Sequence, residues 1–367
     1  MKSKIKVLHV SHFPHYKMGG QKSMLALMEN LDEKQITNYG LTVKKGQLTE
    51  KFKEMGVKHF TLPLTKLSLN NFIKIFSNAL KIRRICKENS IDIIHSDYER
   101  DGFLCGLATY GTKTKSVWHV RVTKRNNLDN MNYKLNDKLI CISEGARKRF
   151  VDKEDYKEKT TVIYNGVDCK MFSPMSDRKG LKFELGMQLD KFTVLFVGQM
   201  KIGKGIYEII DAARLLPEVE FVLLGEFLNE EEKSKWLSAV DKKGVSNINW
   251  LGQKQNINKW MQATDCLILP SYEGAEGMGR VVFEAMACGT PPIASDISGV
   301  NEAITDESGI LVPEKNAELL ADAIHKLKSD AELWNKLSDA GRKRALDTFD
   351  IKIHANNVLN IYNGLVG

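Results

Sequence analysis

The sequence predicts an α/β chain built from two doubly wound parallel-sheet domains. Short apolar runs alternate with longer amphipathic ones from end to end, which is the grammar of strands covered on both faces by helices. The runs fall into two sets separated by a stretch without periodicity. Glycine-rich segments repeatedly follow strand ends, where ligands bind in sheets of this kind.

In the first set, KVLHV (6–10), DIIHS (92–96), KSVWHV (115–120), LICIS (139–143) and TVIYN (161–165) read as buried strands. Between them, residues 70–89 form an amphipathic helix predicted to present Phe72, Ile75, Phe76, Ala79, Leu80 and Ile85 on one apolar face. In the second set the strands are TVLFVG (193–198), VEFVLLG (219–225), INWLG (248–252), CLILPS (266–271) and PPIAS (291–295). GIYEIIDAARLL, INKWMQAT and GRVVFEAMAC are the helices between them. Periodicity stops at NGVDCKMFSPMSDRKG (165–180), where Pro, Ser, Asp and Gly collect. The predicted domains are therefore 1–170 and 171–345, with 346–367 a closing helix that no strand follows.

Bulk composition narrows the function classes. The 367 residues are enough for two substantial cores. The N-terminal apolar run is interrupted by His9, Ser11 and His12, unlike a secretory signal. Six scattered cysteines without a CxxC argue for reduced thiols in a cytoplasmic setting, against a disulfide frame or a zinc site. Residues 1–170 hold 32 lysines and arginines against 18 aspartates and glutamates, a net +14, and the remainder is −6. A basic half can face an anionic acceptor or membrane surface, or it can be simply solvated. Nucleic acid is not an expected partner.

Three loops carry candidate chemistry. VLFVGQMKIGKGIYEII runs strand, glycine-rich loop, helix. Gly198-x4-Gly203-Lys204 follows phosphate-loop spacing until its last position, where Gly205 stands in place of the Ser or Thr that would hold magnesium. Backbone amides and Lys204 can still hold phosphate; the alternative is a glycine-rich turn with a surface lysine. In HFPHYKMGGQKSMLALMENL, Gly19 and Gly20 open a helix and would let backbone approach a ligand. In EGAEGMGRVVFEAMACG, Glu276 and Glu284 flank the turn Gly277-Met278-Gly279. Amides at that helix start can face an anion. A glutamate at 284, among Val281, Val282, Phe283, Ala285 and Met286, needs a partner if buried, either ligand hydroxyls or a neighbouring amide. His95 and His119 sit near strand ends; His119 is the better candidate because Arg121, Lys124 and Arg125 follow it. No DxD occurs, so no metal is expected.

The ordered set of motifs resembles the family 4 glycosyltransferases of the GT-B fold. It comprises MGG (18–20), His119, Ser143, VIYNGVDCKMFSP (162–174), VLFVG…KG (194–205), WLG (250–252), LPS (269–271), the pair Glu276/Glu284, EAMACGTPPIAS and SGVNEAI (298–304). The resemblance implies two Rossmann-like domains facing a central cleft and a retaining transfer from a nucleotide-sugar, with UDP favoured, to a glycan or lipid-linked acceptor. It implies that Glu284 binds the donor ribose, Glu276 the donor sugar, and Lys204 the diphosphate. Gly277 to Gly279 offer amides, Gly20 closes over the phosphates with Gly19 also among the substrate-binding residues, and His119 lies at the reaction centre. The last helix is expected to return to the first domain. Where the family often has Arg after the glycine of the VG strand end, this chain has Gln199; Arg280 or Arg121 would make up the charge. The location expected is cytoplasmic, peripheral on the inner membrane face. A nucleotide-sugar epimerase or a non-catalytic sugar-nucleotide binder is the competing reading. A nicotinamide dehydrogenase is disfavoured because no strand precedes a GxGxxG.

Overall fold

The computed structural model describes residues 4–16, 19–64 and 69–367. The chain divides into two units, Met1–Gly166 with Ile351–Gly367, and Val167–Asp350.

The first unit carries a parallel sheet of seven strands: β1 (Ile5–Ser11), β2 (Ile36–Thr42), β3 (Lys58–Thr61), β4 (Ile93–Ser96), β5 (Lys115–Val120), β6 (Lys138–Cys141) and β7 (Thr160–Val162). Their order is β3-β2-β1-β4-β5-β6-β7, so the chain direction across the sheet switches beside β1. The register sets Val7 against Ile93 and His9 against His95. His119 pairs with Ile140. The second unit repeats the plan with six parallel strands: β8 (Thr193–Val197), β9 (Glu220–Leu224), β10 (Ile248–Trp250), β11 (Cys266–Leu269), β12 (Pro292–Ser295) and β13 (Ile310–Val312), in order β10-β9-β8-β11-β12-β13.

Burial explains the strands. In β4, β9, β11 and β12 every residue is buried, so the sequence shows continuous apolar runs instead of alternation. The second core joins Val194, Phe196, Phe221, Leu223 and Ile268 to the helix residues Ile209, Ile210, Ala213 and Ile324. The first joins Val7, Ile93, Val117 and Ile140 to Ala355, Val358, Leu359 and Tyr362 of the helix Ile351–Val366.

Two departures from the sequence reading concern position. The segment after Gly166 is fastened within the second unit: Val167 N–H donates to Phe349 O at 2.8 Å, and Arg342 donates to Phe172 O and Cys169 O at 2.9 and 3.1 Å. The division thus falls at 166/167 and 350/351, where the sequence suggested 170/171 and 345/346. The helix Phe72–Asn89 buries Ile75, Asn78, Ala79, Ile82 and Cys86, while Phe72, Phe76 and Leu80, expected inside, are exposed. All six cysteines are buried and free.

Candidate functional site: two loop systems

In the second unit the candidate residues collect on the loops after β8 and β11. Past Val197 the chain makes a tight turn, Ile202–Lys204, and then the helix Ile206–Leu215. Gly205 links them at φ +71, and a Cβ there would stand 2.0 Å from Pro270 O. That contact explains the missing Ser or Thr of the phosphate-loop pattern: no side chain fits against the neighbouring loop, and the left-handed backbone favours glycine. The two loops are also joined by Tyr272 N–H donating to Gly203 O at 2.9 Å.

This clamp delivers Lys204 to Glu276. Lys204 Nζ bonds Glu276 Oε1, and Ser271 Oγ donates to the same oxygen at 2.9 Å. The side chains are 14% and 12% exposed, so the pair sits at a loop surface partly shielded from water. An ammonium there attracts anions more strongly than one in bulk water. Gln199 is exposed, two residues past β8.

Gly277 to Gly279 lead into the helix Arg280–Ala287. Gly279 caps it at φ +67, and a Cβ there would meet Leu269 Cδ2 at 2.8 Å. Met278 is 2% exposed. Its side chain belongs to the core and only its backbone remains for a ligand. Glu284 is buried, as its apolar neighbours predicted, but its partner is neither an amide nor a ligand hydroxyl. Arg280, one turn earlier, donates Nε and Nη2 to Glu284 Oε1 at 2.9 and 2.6 Å. Arg280 therefore steadies Glu284 where the sequence reading gave it to the diphosphate. Both bonds end on one carboxylate oxygen.

In the first unit the candidates lie deeper. His119, near the end of β5, is 0% exposed. Its Nδ1 is 3.1 Å from His95 Nε2 and accepts from Arg121 Nη2 at 3.3 Å. Burial pushes the pKa of His119 well below its usual value, with help from the positive charge of Arg121. A neutral ring that accepts at Nδ1 carries its proton on Nε2, a buried atom without a hydrogen-bond partner. His95 is buried beside it, its pKa also lowered by burial, and its Nδ1 meets Tyr362 OH. The rings of His9 and His95 stack at 5.6 Å, and those of His119 and His354 at 5.9 Å.

Arg121 anchors the cluster. Nε donates to Asp97 Oδ1 at 2.9 Å and Nη1 to Asn165 Oδ1 at 2.7 Å. Its charge is thus spent inside the first unit, where the sequence reading offered it to the diphosphate. Among the described residues, His95, Asp97 and His119 form the one group close enough to ligate a metal. Arg121 Nη2 already reaches Asp97 Oδ1 at 2.8 Å and His119 Nδ1 at 3.3 Å, so a guanidinium takes the place of a cation there. Gly20 lies under Tyr98, where a Cβ would come within 2.6 Å of the hydroxyl; Gly19 meets open space. Met18 of the MGG motif lies outside the described residues.

Sequence reasoning missed Asp97 and Tyr98. The signal was present as polar residues following the buried run of β4. Asn165 and Ser271 were read only as parts of motifs, with no contact assigned.

Known proteins share this fold along the whole chain. The model described as "Glycosyltransferase Family 4" matches residues 18–170, and that described as "Glycosyl transferases group 1" matches 177–344. The chain is 26% identical to the UDP-Gal:alpha-D-GlcNAc-diphosphoundecaprenol alpha-1,3-galactosyltransferase of Escherichia coli, over 99% of this chain and 98% of that protein. It is 27% identical to the N,N'-diacetylbacillosaminyl-diphospho-undecaprenol alpha-1,3-N-acetylgalactosaminyltransferase of Campylobacter jejuni, over 88% and 90%. Its fold superposes on Anabaena HepE, solved in complex with UDP, with TM-score 0.86 and 20% identity over 99% and 100% of the two chains. Two parallel-sheet units in one strand order, matched end to end by these models and relatives, place the chain among the family 4 glycosyltransferases of the GT-B fold.

Proposed function

We propose that the chain transfers a hexose or N-acetylhexosamine from UDP-sugar to a lipid-linked glycan acceptor, with retention, in cell-surface polysaccharide synthesis. The observation that carries the donor half is the pair of cation–carboxylate contacts, Lys204–Glu276 and Arg280–Glu284, flanking Gly277 to Gly279 beyond the carboxyl ends of β8 and β11. Support for the acceptor and donor classes comes from relatives named for diphosphoundecaprenol-linked acceptors and from a similar fold solved with UDP.

In this reading Glu284 accepts from the donor ribose through the oxygen Arg280 leaves unused. Glu276 contacts the donor sugar. Lys204 exchanges its carboxylate partner for the diphosphate, whose negative charge grows as the glycosidic bond breaks. A cation aimed at charge that develops in the transition state accelerates the reaction more than one that binds the ground state. Gly277, Met278 and Gly279 contribute backbone amides, and Gln199 stands beside the donor phosphates. The acceptor hydroxyl attacks from the face the diphosphate leaves, and its proton passes to the departing phosphate oxygen. His119, fully buried in the first unit, is given no contact with the sugar in this reading. No metal takes part.

The test is transfer from radiolabelled UDP-sugars to a polyprenyl-diphosphate-linked glycan, with and without EDTA. Acceptor-dependent product formed in EDTA supports the reading. Free sugar or epimer without acceptor would favour an epimerase. A requirement for Mn²⁺ or Mg²⁺ would overturn the leaving-group chemistry.

A further inference from the structure

We propose that His12, held in place by Asp101, binds a hydroxyl of the acceptor sugar on the first unit. His12 and Phe13 follow β1, and Tyr98 and Asp101 follow β4. These strands are neighbours at the point where the strand order reverses, which is where a doubly wound sheet opens a crevice for a ligand. The backbone N–H and the ring Nδ1 of His12 both reach Asp101 Oδ2, at 3.0 and 2.8 Å. A neutral ring that donates from Nδ1 to a carboxylate carries its lone pair on Nε2. The Asp101 side chain is 0% exposed and that of His12 19%, so the carboxylate fixes the ring from inside while the ring stays within reach of a ligand. Asp101 Oδ1 makes no hydrogen bond among the described residues and lies 3.6 Å from Arg100 Nε. Burying a carboxylate with one oxygen unbonded is costly to the fold, and local rules broken in this way belong to functional sites.

The surroundings select the ligand. The ring of Phe13 lies 3.9 Å from that of His12 and 5.0 Å from that of Tyr98, and His12 meets Tyr98 edge-on at 4.8 Å. All three are only partly buried, so ring surface remains for a ligand. Gln21, 1% exposed, donates Nε2 to Tyr98 OH at 2.7 Å and fixes that ring. Aromatic surface that packs against sugar C–H groups, beside an oriented atom that accepts from O–H, is the equipment of a saccharide site. A lone pair on Nε2 with a carboxylate behind the ring repels phosphate oxygens, so the group it takes is a hydroxyl and not the diphosphate of a lipid-linked acceptor. His9, His95 and His119, buried in the same unit, are out of a ligand's reach. The inference rests on the reading of the chain as a transferase to a glycan acceptor.

The test is calorimetric titration of the full-length protein with farnesyl-diphosphate-linked N-acetylglucosamine, N-acetylgalactosamine, glucose and galactose. The tightest binder is then replaced by analogues lacking one hydroxyl at a time. Wild type should lose about tenfold in affinity for one deoxy analogue, the worth of one hydrogen bond. His12→Asn keeps an N–H near the place of Nδ1 for Asp101 and removes Nε2. It should bind the parent acceptor about tenfold more weakly, lose nothing further on that analogue, and keep the wild-type melting temperature. His12→Gln, whose amide reaches the place of Nε2, should recover part of the loss. Asp101 is a positioning residue, so Asp101→Asn should weaken acceptor binding in the wild type and add nothing in His12→Asn. Wild-type affinity in His12→Asn, a wild type indifferent to every hydroxyl, or a wild type that binds none of these probes overturns the proposal. Transfer from UDP-sugar with an acceptor KM that His12→Asn leaves unchanged removes the proposal and leaves the transferase reading standing. Acceptor binding that depends on His12 without any transfer keeps the proposal and counts against the transferase chemistry.

Discussion

The two units share a strand order and differ in where they keep their charge. In the first, eight acidic, basic or imidazole side chains are buried among the described residues: His9, His95, Asp97, Asp101, His119, Asp129, Arg149 and His354. In the second there are three, Lys182, Glu220 and Glu284. The first unit locks ionisable groups into a network around Arg121, whose guanidinium is 8% exposed. The second holds Lys204 and Glu276 on loops and pairs them with each other, a contact that an anionic ligand can replace. The same topology thus supports a rigid polar core in one half and an exchangeable charge pair in the other. Buried pairs are costly to break, whereas partly exposed ones are cheap to rearrange.

The largest expected effect comes from breaking the network. Arg121→Met leaves Asp97 buried without its cation and should destabilise the first unit by about 3–5 kcal/mol, measured by denaturant unfolding. A loss below about 1 kcal/mol would show that the network does not hold the unit together.

The network should also respond to acid. Burial lowers the pKa of His9 to about 4 and holds His95 and His119 well below the usual value, so the native state keeps all three neutral. The unfolded chain takes up those protons below pH 6.5, so stability is complete above that pH and is lost as pH falls towards the folded values. Between pH 7.5 and 5.5 each histidine costs on the order of 1 kcal/mol, a few kcal/mol together. Asp97, whose pKa burial raises, works in the opposite direction. Unfolding at the two pH values measures it, followed in single-tryptophan variants that keep only Trp118 or only Trp236, one in each unit. Loss confined to the Trp236 signal would reverse the comparison.

The exchangeable pair should behave in the opposite way. Lys204→Ala should lower kcat by about 10²–10³, the size of losing one electrostatic donor, with the melting temperature nearly unchanged. Glu276→Gln should likewise reduce turnover more than stability. Smaller still, Glu284→Gln should weaken donor binding by about tenfold, because the ribose contact loses its charge. Steady-state kinetics beside thermal melts separates these outcomes, and large stability losses at Lys204 would make it a structural residue like Arg121.

Much of the fold was legible because buried parallel strands leave continuous apolar runs. KSVWHV coincides with β5, and TVLFVG covers β8. β2, β3 and β13 were not read. ITNYGLT is interrupted by Thr37, Asn38 and Gly40, and the edge strand KHFT is half-exposed. At the site, the residue types and their loops were legible, because glycines and carboxylates stand out beyond strand ends. Their partners were not. Arg280 on Glu284 is a contact across one helical turn that the i, i+4 spacing allowed. Lys204 on Glu276 depends on Gly205 fitting beneath Pro270, a tertiary contact that no local pattern encodes. The depth of His119 was hidden for the same reason: the polar residues after it suggested a loop, while Asp97, Asn165 and Tyr362 come from distant parts of the chain.

The central claim is that the second unit binds the nucleoside diphosphate of the donor through Lys204 and Glu284. Calorimetric titration of UDP into the full-length wild type, Lys204→Ala, Glu284→Gln and a control altered only at Phe72 and Ile73 tests it most directly. Wild type and the control should bind with the same Kd, and the two site variants should bind at least about tenfold more weakly, a loss of about 1.4 kcal/mol. UDP binding that is unchanged in both site variants would contradict the account.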